Sequence, residues 1–537
     1  MLNKTLLGSA AVIMTMVGAQ AADLPSKKAA PATYVKICDA YGAGFFFIPG
    51  SDTCVKLGGY VRAEYNYTPA QDTYLLRGVN ILAANTPGTG MMLNSGRVVG
   101  GGANAAGGAS ANGGILQTPA AILSATSYNA TVYQPKALQD TTGYETRGRI
   151  EVDARTPTSM GVARTFIRLR AANTSGIRNT TIGNALGYAN ASGSTTGITV
   201  EAASVQWAGV TFGIAPENYA MMPSMMYGST PWTGFPNGMK QIGYTATLGG
   251  GFSASLALED HADHAGGANV TANPSTQPVI VGNVRLDQSW GFGAVHGLFQ
   301  NNNNYQWSQV AAATGAAVLY SERTSGSWGM QTTTGANTEV YDTKNRSAYA
   351  IGATVSFKLP MIAAGDQIWF TANYADGAIG MLLSGGGLSN VSTAANHRMI
   401  GGLVRADSNV AVVDGARATN TLGNVKGWNV ATAFTHYWTS NWRSNFAAGY
   451  VEINPPTYTG ADQALVWGKG QLYTLAGSVI YSPAKNFDIG LEVHYANVQN
   501  KLQNATANAG NTAAYNEVVD GLKGSNWATK LRVERSF

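Results

Sequence analysis

The segment Tyr144–Arg155 reads YETRGRIEVDAR and alternates with period two. Tyr144, Thr146, Gly148, Ile150, Val152 and Ala154 share one face. Glu145, Arg147, Arg149, Glu151, Asp153 and Arg155 share the other. Successive side chains of a strand point to opposite sides, so one side is uncharged and the other is nearly all charge. The split recurs along the chain. Val55, Leu57, Val61, Ala63 and Tyr65 alternate with Lys56, Tyr60, Arg62 and Glu64. Ala163, Thr165, Ile167, Leu169 and Ala171 alternate with Arg164, Arg168 and Arg170. Near the end, Leu531, Val533 and Phe537 stand opposite Lys530, Arg532 and Glu534.

This pattern predicts strands near 55–66, 143–155, 161–172, 198–207, 209–215, 239–248, 251–260 and 280–289. It predicts as many again near 291–300, 346–358, 366–375, 426–438, 441–452, 471–482, 486–498 and 526–537. The total of sixteen is even, as a closed bacterial barrel requires. Short links (Thr156–Met160, Ala208, Gly249–Gly250, Trp290, Leu359–Gly365, Thr439–Ser440, Pro483–Lys485) alternate with long ones such as 67–142, 301–345 and 376–425. Outer-membrane barrels have short periplasmic turns and long extracellular loops, and a soluble sandwich has no reason to alternate so regularly. Trp207, Trp290, Trp438, Trp442, Tyr481, Phe487 and Phe537 sit beside short turns or at the C-terminus. That is where an interfacial aromatic girdle belongs. The expected fold is therefore all-β: a transmembrane antiparallel β-barrel of sixteen strands with short periplasmic turns and long extracellular loops.

Composition supports this choice. Charged residues make up 12% of the chain, about half the usual share. Mean hydropathy is -0.06. After the first residues no apolar run is long enough to cross a bilayer as a helix. Low charge with neutral hydropathy suits a wall that is wet on one side and greasy on the other. The formal charge of +5 includes no Lys/Arg block, so nothing points to nucleic acid. Lys4, the apolar stretch Leu6 to Val17 and the small residues Ala19-Gln20-Ala21 form an export signal over 1–21. The barrel is expected over 55–537, preceded by an N-terminal segment, 22–54. Cys38 and Cys54 are the only cysteines. Export favours a disulfide between them. Two unpaired buried thiols are the alternative, and a metal site lacks ligands.

CDAYGAGFFFIPGSDTC (38–54), running into VKLGGYVRAEY, resembles the opening signature of the porin family of alphaproteobacteria. NYADGA (373–378), HYWTSNWRS (436–444) and YSPAKNFDIGLEVHY (481–495) are similar to later segments of that family, as is the C-terminal Phe537. The resemblance implies a sixteen-stranded, usually trimeric barrel in outer-membrane lipid, with an inward-folded third loop that narrows a pore. It implies passive diffusion of small hydrophilic solutes and ions. The chain departs from the family in its very long first loop, 67–142. It also departs in its third loop, about 216–238, where Glu217 is the one acid among many Met and aromatic residues. Acidic constriction residues are therefore not carried over beyond Glu217.

A pore needs a wettable wall and a constriction. Arg62, Arg149 and Arg168 stand about equally far from the periplasmic ends of the first three strands, flanked by Arg147, Arg164 and Arg170. Like charges this close need a solvated wall, partly balanced by Glu64, Glu145, Glu151 and Asp153. Rings of arginine favour anions. The expectation is an arginine wall facing the third loop, with mild anion preference. The alternative is a set of internal salt bridges away from the narrowest point. Met221, Met222, Met225, Met226, Tyr219, Tyr227 and Trp232 of the third loop either pack it against the wall or form an apolar rim, and packing is favoured. His261, His264, Glu259, Asp260 and Asp263 read as a solvated loop cluster rather than a metal site. Gly100–Gly114 reads as flexible loop. No nucleophile elbow, zinc-protease helix motif or phosphate loop is present, and no cofactor is implied. A general diffusion channel comes first. A sugar- or anion-specific channel follows, then a surface or adhesion barrel with blocked lumen, and an outer-membrane enzyme last.

Overall fold

The computed structural model describes residues 36–69, 73–78, 97–98, 129–134, 141–176, 195–223, 238–260, 277–311, 317–322, 328–333, 337–382, 408–409, 423–454, 467–502 and 523–537. Sixteen long strands form the barrel. The first four are β1 (Cys54–Tyr67), β2 (Thr142–Thr158), β3 (Gly161–Thr174) and β4 (Thr195–Trp207). β5 (Val210–Ala215), β6 (Met239–Gly249), β7 (Phe252–Glu259) and β8 (Val279–Gln288) follow. β9 (Gly291–Ala311), β10 (Asn337–Lys358), β11 (Gln367–Asp376) and β12 (Lys426–Tyr437) continue the wall. β13 (Trp442–Asn454), β14 (Trp467–Ala484), β15 (Phe487–Leu502) and β16 (Lys523–Ser536) complete it. Every strand pairs antiparallel with its chain neighbour, and β16 returns to β1 from Tyr60↔Ser536 to Tyr67↔Thr529. Hydrocarbon offers no partner to an open N–H or C=O, so a spanning sheet must close on itself.

All sixteen predicted segments are strands, but several extend further than the alternation did. β9 and β10 pair from Gly291↔Phe357 up to Ala311↔Asn337, through what the sequence marks as the long link 301–345. The Asn-rich run 301–304 interrupts the apolar alternation, so the sequence there gives no strand signal. β2 runs through Pro157 to Thr158, which shortens the turn before β3 to Ser159 and Met160. The first loop holds three short strands, Thr73–Gly78, Arg97–Val98 and Asn129–Gln134, in a sheet of their own. Gly100–Gly114 lies outside the described residues. At the Ala208–Gly209 turn both residues have positive φ, as a tight two-residue hairpin turn needs. A Cβ on Gly209 would sit 2.8 Å from the Tyr244 ring.

β16 covers β1 only from Tyr60 upward, with the Phe537 N–H donating to the Gly59 carbonyl at 3.1 Å. Below that, Phe46–Phe47 pairs with Cys54 and Val55 and takes up the exposed edge. The Cys38–Cys54 disulfide ties this hairpin to the first residue of β1, across a Cα separation of 6.0 Å. Phe45 is buried beside it, and the Arg155 guanidinium lies 4.9 Å from the ring centre.

The outer face is greasy throughout. Ile150, Phe212, Leu256, Val295, Ile351, Phe446, Leu475 and Leu491 are all exposed. Aromatics bound this band at both ends. Trp290 stacks near Phe357, and Trp442 on Tyr481, by the short turns. At the other end Tyr65 meets Tyr144, Trp428 and Tyr473 flank Tyr450, and Tyr495 meets Trp527. The sequence pattern identified only the first girdle. Trp428 and Trp438 bracket β12 and are separated by roughly 33 Å of strand. Tilted in a barrel wall, that length matches an apolar band about 25 Å tall.

Leu491 lies mid-band on this outer face. Leu491→Arg should cost roughly 2–4 kcal/mol, read as a lowered unfolding midpoint in urea after refolding into lipid vesicles. An unchanged midpoint would mean that this face does not meet lipid.

Candidate functional site

Strict alternation sends every second residue inward, and on β16, β1, β2 and β3 those residues are charged. Pairing sets their order. Arg62 lies opposite Glu534 on one side and Arg147 on the other; Tyr60 lies opposite Arg149; Arg149 opposite Arg170; Glu151 opposite Arg168; Arg155 opposite Arg164. Arg62, Arg149 and Arg168, expected at about equal distance from the periplasmic ends, stand on three successive rows of the ladder. The ladder offsets the strands so that Arg62 shares a row with Arg147, Arg149 with Arg170, and Arg168 with Glu151. Counting from the periplasmic turns could not supply this stagger, which barrel closure sets.

All six arginines singled out in the sequence point inward and each has a carboxylate partner. Arg62 binds Glu534 at 2.6 Å, Arg147 binds Glu145 at 2.5 Å, and Arg168 binds Glu151 at 2.7 Å. Arg164 meets Asp153 at 3.0 Å. Arg149 and Arg170 share Glu201, at 2.6 and 3.2 Å. On the next strand Arg532 and Lys530 share Glu64, at 2.5 and 3.7 Å. The arginines thus belong to an ion-pair network, while their side chains keep partial exposure, between 14% for Arg62 and 30% for Arg164. Because Glu64, Asp153 and Glu201 each serve two cations, positive groups outnumber negative ones along this wall.

Aromatic rings space the guanidinium groups. Tyr60 lies between Arg62 and Arg149, at 4.5 and 4.7 Å from the ring centre. Phe166 lies between Arg164 and Arg168, at 4.9 and 5.3 Å. A cation over a ring face is attracted by the ring quadrupole, which helps hold like charges side by side.

Glu201 was not singled out in the sequence. It is the extra residue of a β-bulge in β4: Arg168 pairs with Ala202 and Leu169 with Val200, leaving Glu201 unmatched. Two residues then face one, the side-chain parity flips, and both Glu201 and Ala202 are buried on the inner side. Nothing in TVEAASV marks the bulge, because either parity gives a plausible strand. Lys530 and Arg532 carry a signal in their alternation with Leu531 and Val533, which marks a strand but not the carboxylate they share.

The opposite inner wall differs. Inward-facing Val279, Val281, Leu298, Ala350, Val451, Ile453 and Leu472 are apolar and buried, in one cluster with Tyr219 and with Ile379, Met381 and Leu382. A second cluster joins Met222 to Phe292, Ala294, Trp369, Ala431, Ala433 and Ala447, with Met221 against it. The segment after β5 therefore turns inward and packs on this wall, as favoured for Met221 and Met222. Asn218 fixes its root, donating to Glu259 at 2.9 Å and Gln241 at 2.7 Å and accepting from Asn283. Tyr219 meets the His296 ring edge-on at 4.6 Å, and burial pushes its phenol up. Glu217 is half-buried at the start of this segment. Met225, Met226, Tyr227 and Trp232 lie outside the described residues, as do His261, Asp263 and His264. Of that last cluster, Glu259 serves the loop root and Asp260 pairs with Lys240 at 3.2 Å.

The chain matches the profile of a family described as a porin subfamily over residues 23–83 and 116–522. It is 28% identical over 307 residues to Porin Omp2b of Brucella suis biovar 1 (strain 1330) and to that of Brucella abortus (strain 2308). Each alignment covers 54% of this chain and 63% of the relative, so the match spans somewhat under two thirds of those proteins' length. Among solved structures, the outer membrane channel DcaP of Acinetobacter baumannii is similar with a TM-score of 0.49 and 14% identity. That match covers 91% of this chain and 99% of the other.

Removing the shared carboxylate should expose the wall's charge. Glu201→Gln should move the reversal potential in a salt gradient further toward anions, by roughly two-fold in permeability ratio. No shift would place the Arg149–Glu201–Arg170 group outside any ion path.

Proposed function

Because the chain belongs to the porin subfamily, we propose that its barrel is a passive, water-filled channel for small hydrophilic solutes and ions. The protein resides in the outer membrane, and its family marks a channel rather than an enzyme. It works as a homotrimer in outer-membrane lipid and mildly prefers anions. The observation that carries this reading is the inner wall of β16, β1, β2, β3 and β4, where partly exposed arginines outnumber the carboxylates that pair with them.

Ions and solutes move along that wall while keeping most of their water. An anion approaching Arg168 or Arg149 meets a guanidinium already held by Glu151 or Glu201, so it is attracted without being trapped. Weak attraction repeated at successive positions permits both entry and exit, which conduction requires. Arg62, Arg147, Arg149, Arg164, Arg168 and Arg170 line this route, and Glu217 stands at the start of the loop that narrows it. No energy source enters: the route is open and solutes follow their gradient.

Planar-bilayer recording tests this. Purified protein should insert in three equal ohmic steps. Joint replacement of Arg62, Arg149 and Arg168 by Ala should shift the reversal potential toward cations, by roughly two-fold or more in permeability ratio. Absence of current from folded protein would sink the channel, and an unchanged reversal potential would remove the arginines from its selectivity.

A further inference from the structure

Among the described residues, the inward loop after β5 is one of two chain segments that enter the barrel. Above β11 the chain does not leave for solvent but tips into the lumen as a short strap, with a 3-10 turn at Ile379–Leu382. Ile379 and Leu382 are fully buried and Met381 nearly so, inside the barrel rather than on its lipid face.

Three features show a built seat. Gly377 makes the inward turn at φ +75°, and a Cβ there would lie 2.7 Å from the Ala348 Cβ. Polar side chains from two strands then hold the strap's backbone: Gln300 donates to the Gly377 carbonyl at 3.2 Å, and Asn429 donates to the Leu382 carbonyl at 2.7 Å. Asn429 is itself oriented by Asn373, which donates to it at 2.8 Å. Finally, Gly427 leaves the slot for Leu382, since a Cβ there would come within 2.8 Å of the leucine Cδ1. The strap also shares its apolar cluster with Tyr219, at the root of the inward loop after β5.

We propose that this strap, Gly377–Leu382, is a second constriction element that sets the size limit of the pore. It fills the side of the lumen under β8–β15, props the root of the first inward loop, and confines water to the arginine-bearing side. The apolar patch of Val281, Leu298, Val451, Ile453 and Leu472 would be costly if wet, and the strap is what keeps it dry. The position of Ile379 and Leu382 thus determines how large a solute passes, while the arginines determine which sign of charge is preferred. This inference rests on the channel reading of the barrel.

The test compares wild type, the double variant Ile379→Ser with Leu382→Ser, and Gly377→Ala. Folding is checked by heat-modifiable migration in gels, and passage by single-channel conductance and by liposome swelling with a monosaccharide and a trisaccharide. Loosening the strap should raise conductance by roughly 1.5-fold or more and raise trisaccharide entry relative to monosaccharide. Folded variants with wild-type conductance and sugar ratio, or lower, overturn the proposal. Should the serine variant fail to fold, Gln300→Ala with Asn429→Ala decides in the same way, since it unpins the strap without adding polar groups to its core. A wild-type barrel that carries no current would instead refute the channel reading, a separate outcome.

Discussion

The ladder of backbone hydrogen bonds that joins β16 to β1 is the condition for everything else. A spanning sheet with a free edge would leave a row of N–H and C=O groups in hydrocarbon, each costing several kcal/mol. Closure removes the edge, and it also separates two solvents. Residues of one parity then face lipid, and those of the other face a space only this chain can fill. The edge problem reappears where β16 ends, at Gly59, and the chain answers it with the hairpin around Phe46–Phe47. The Cys38–Cys54 disulfide secures that answer, so the N-terminal cysteines protect the seam rather than serve chemistry.

Inside, the two halves of the wall solve different problems. On β16 to β4 the inward residues are charged, and the network keeps like charges together by sharing carboxylates and inserting rings. Glu64 and Glu201, buried themselves, each balance two cations. A buried carboxylate without such partners would be strongly disfavoured, so the arginines stabilise the acids as much as the reverse. The bulge in β4 supplies the acid: if the register of Arg168 with Ala202 continued unbroken, Glu201 would stand opposite Leu169 and face lipid.

On β8 to β15 the inward residues form two apolar clusters, set among polar ones such as Asn283, His296, Thr371 and Asn429. Two inward segments cover them, one carrying Tyr219 and Met222 and the other Ile379 and Leu382. The barrel thus carries a small hydrophobic core inside it, on the side away from the arginines. The glycines at 377 and 427 belong to this arrangement: one turns the strap inward and the other makes room for its last leucine.

Period-two alternation was enough to locate all sixteen strands, to assign their greasy and wet faces, and to place the arginines inward. It worked because a strand between two solvents must alternate. It failed where that condition lapses. The Asn-rich sequence 301–304 interrupts the alternation although the strand continues, and the bulge at Glu201 breaks the parity without leaving a mark. Which arginines share a row, which carboxylate each one meets, and where Ile379 comes to rest depend on barrel stagger and on chain folding back through the lumen. Those are contacts between residues far apart in sequence, and no local pattern encodes them.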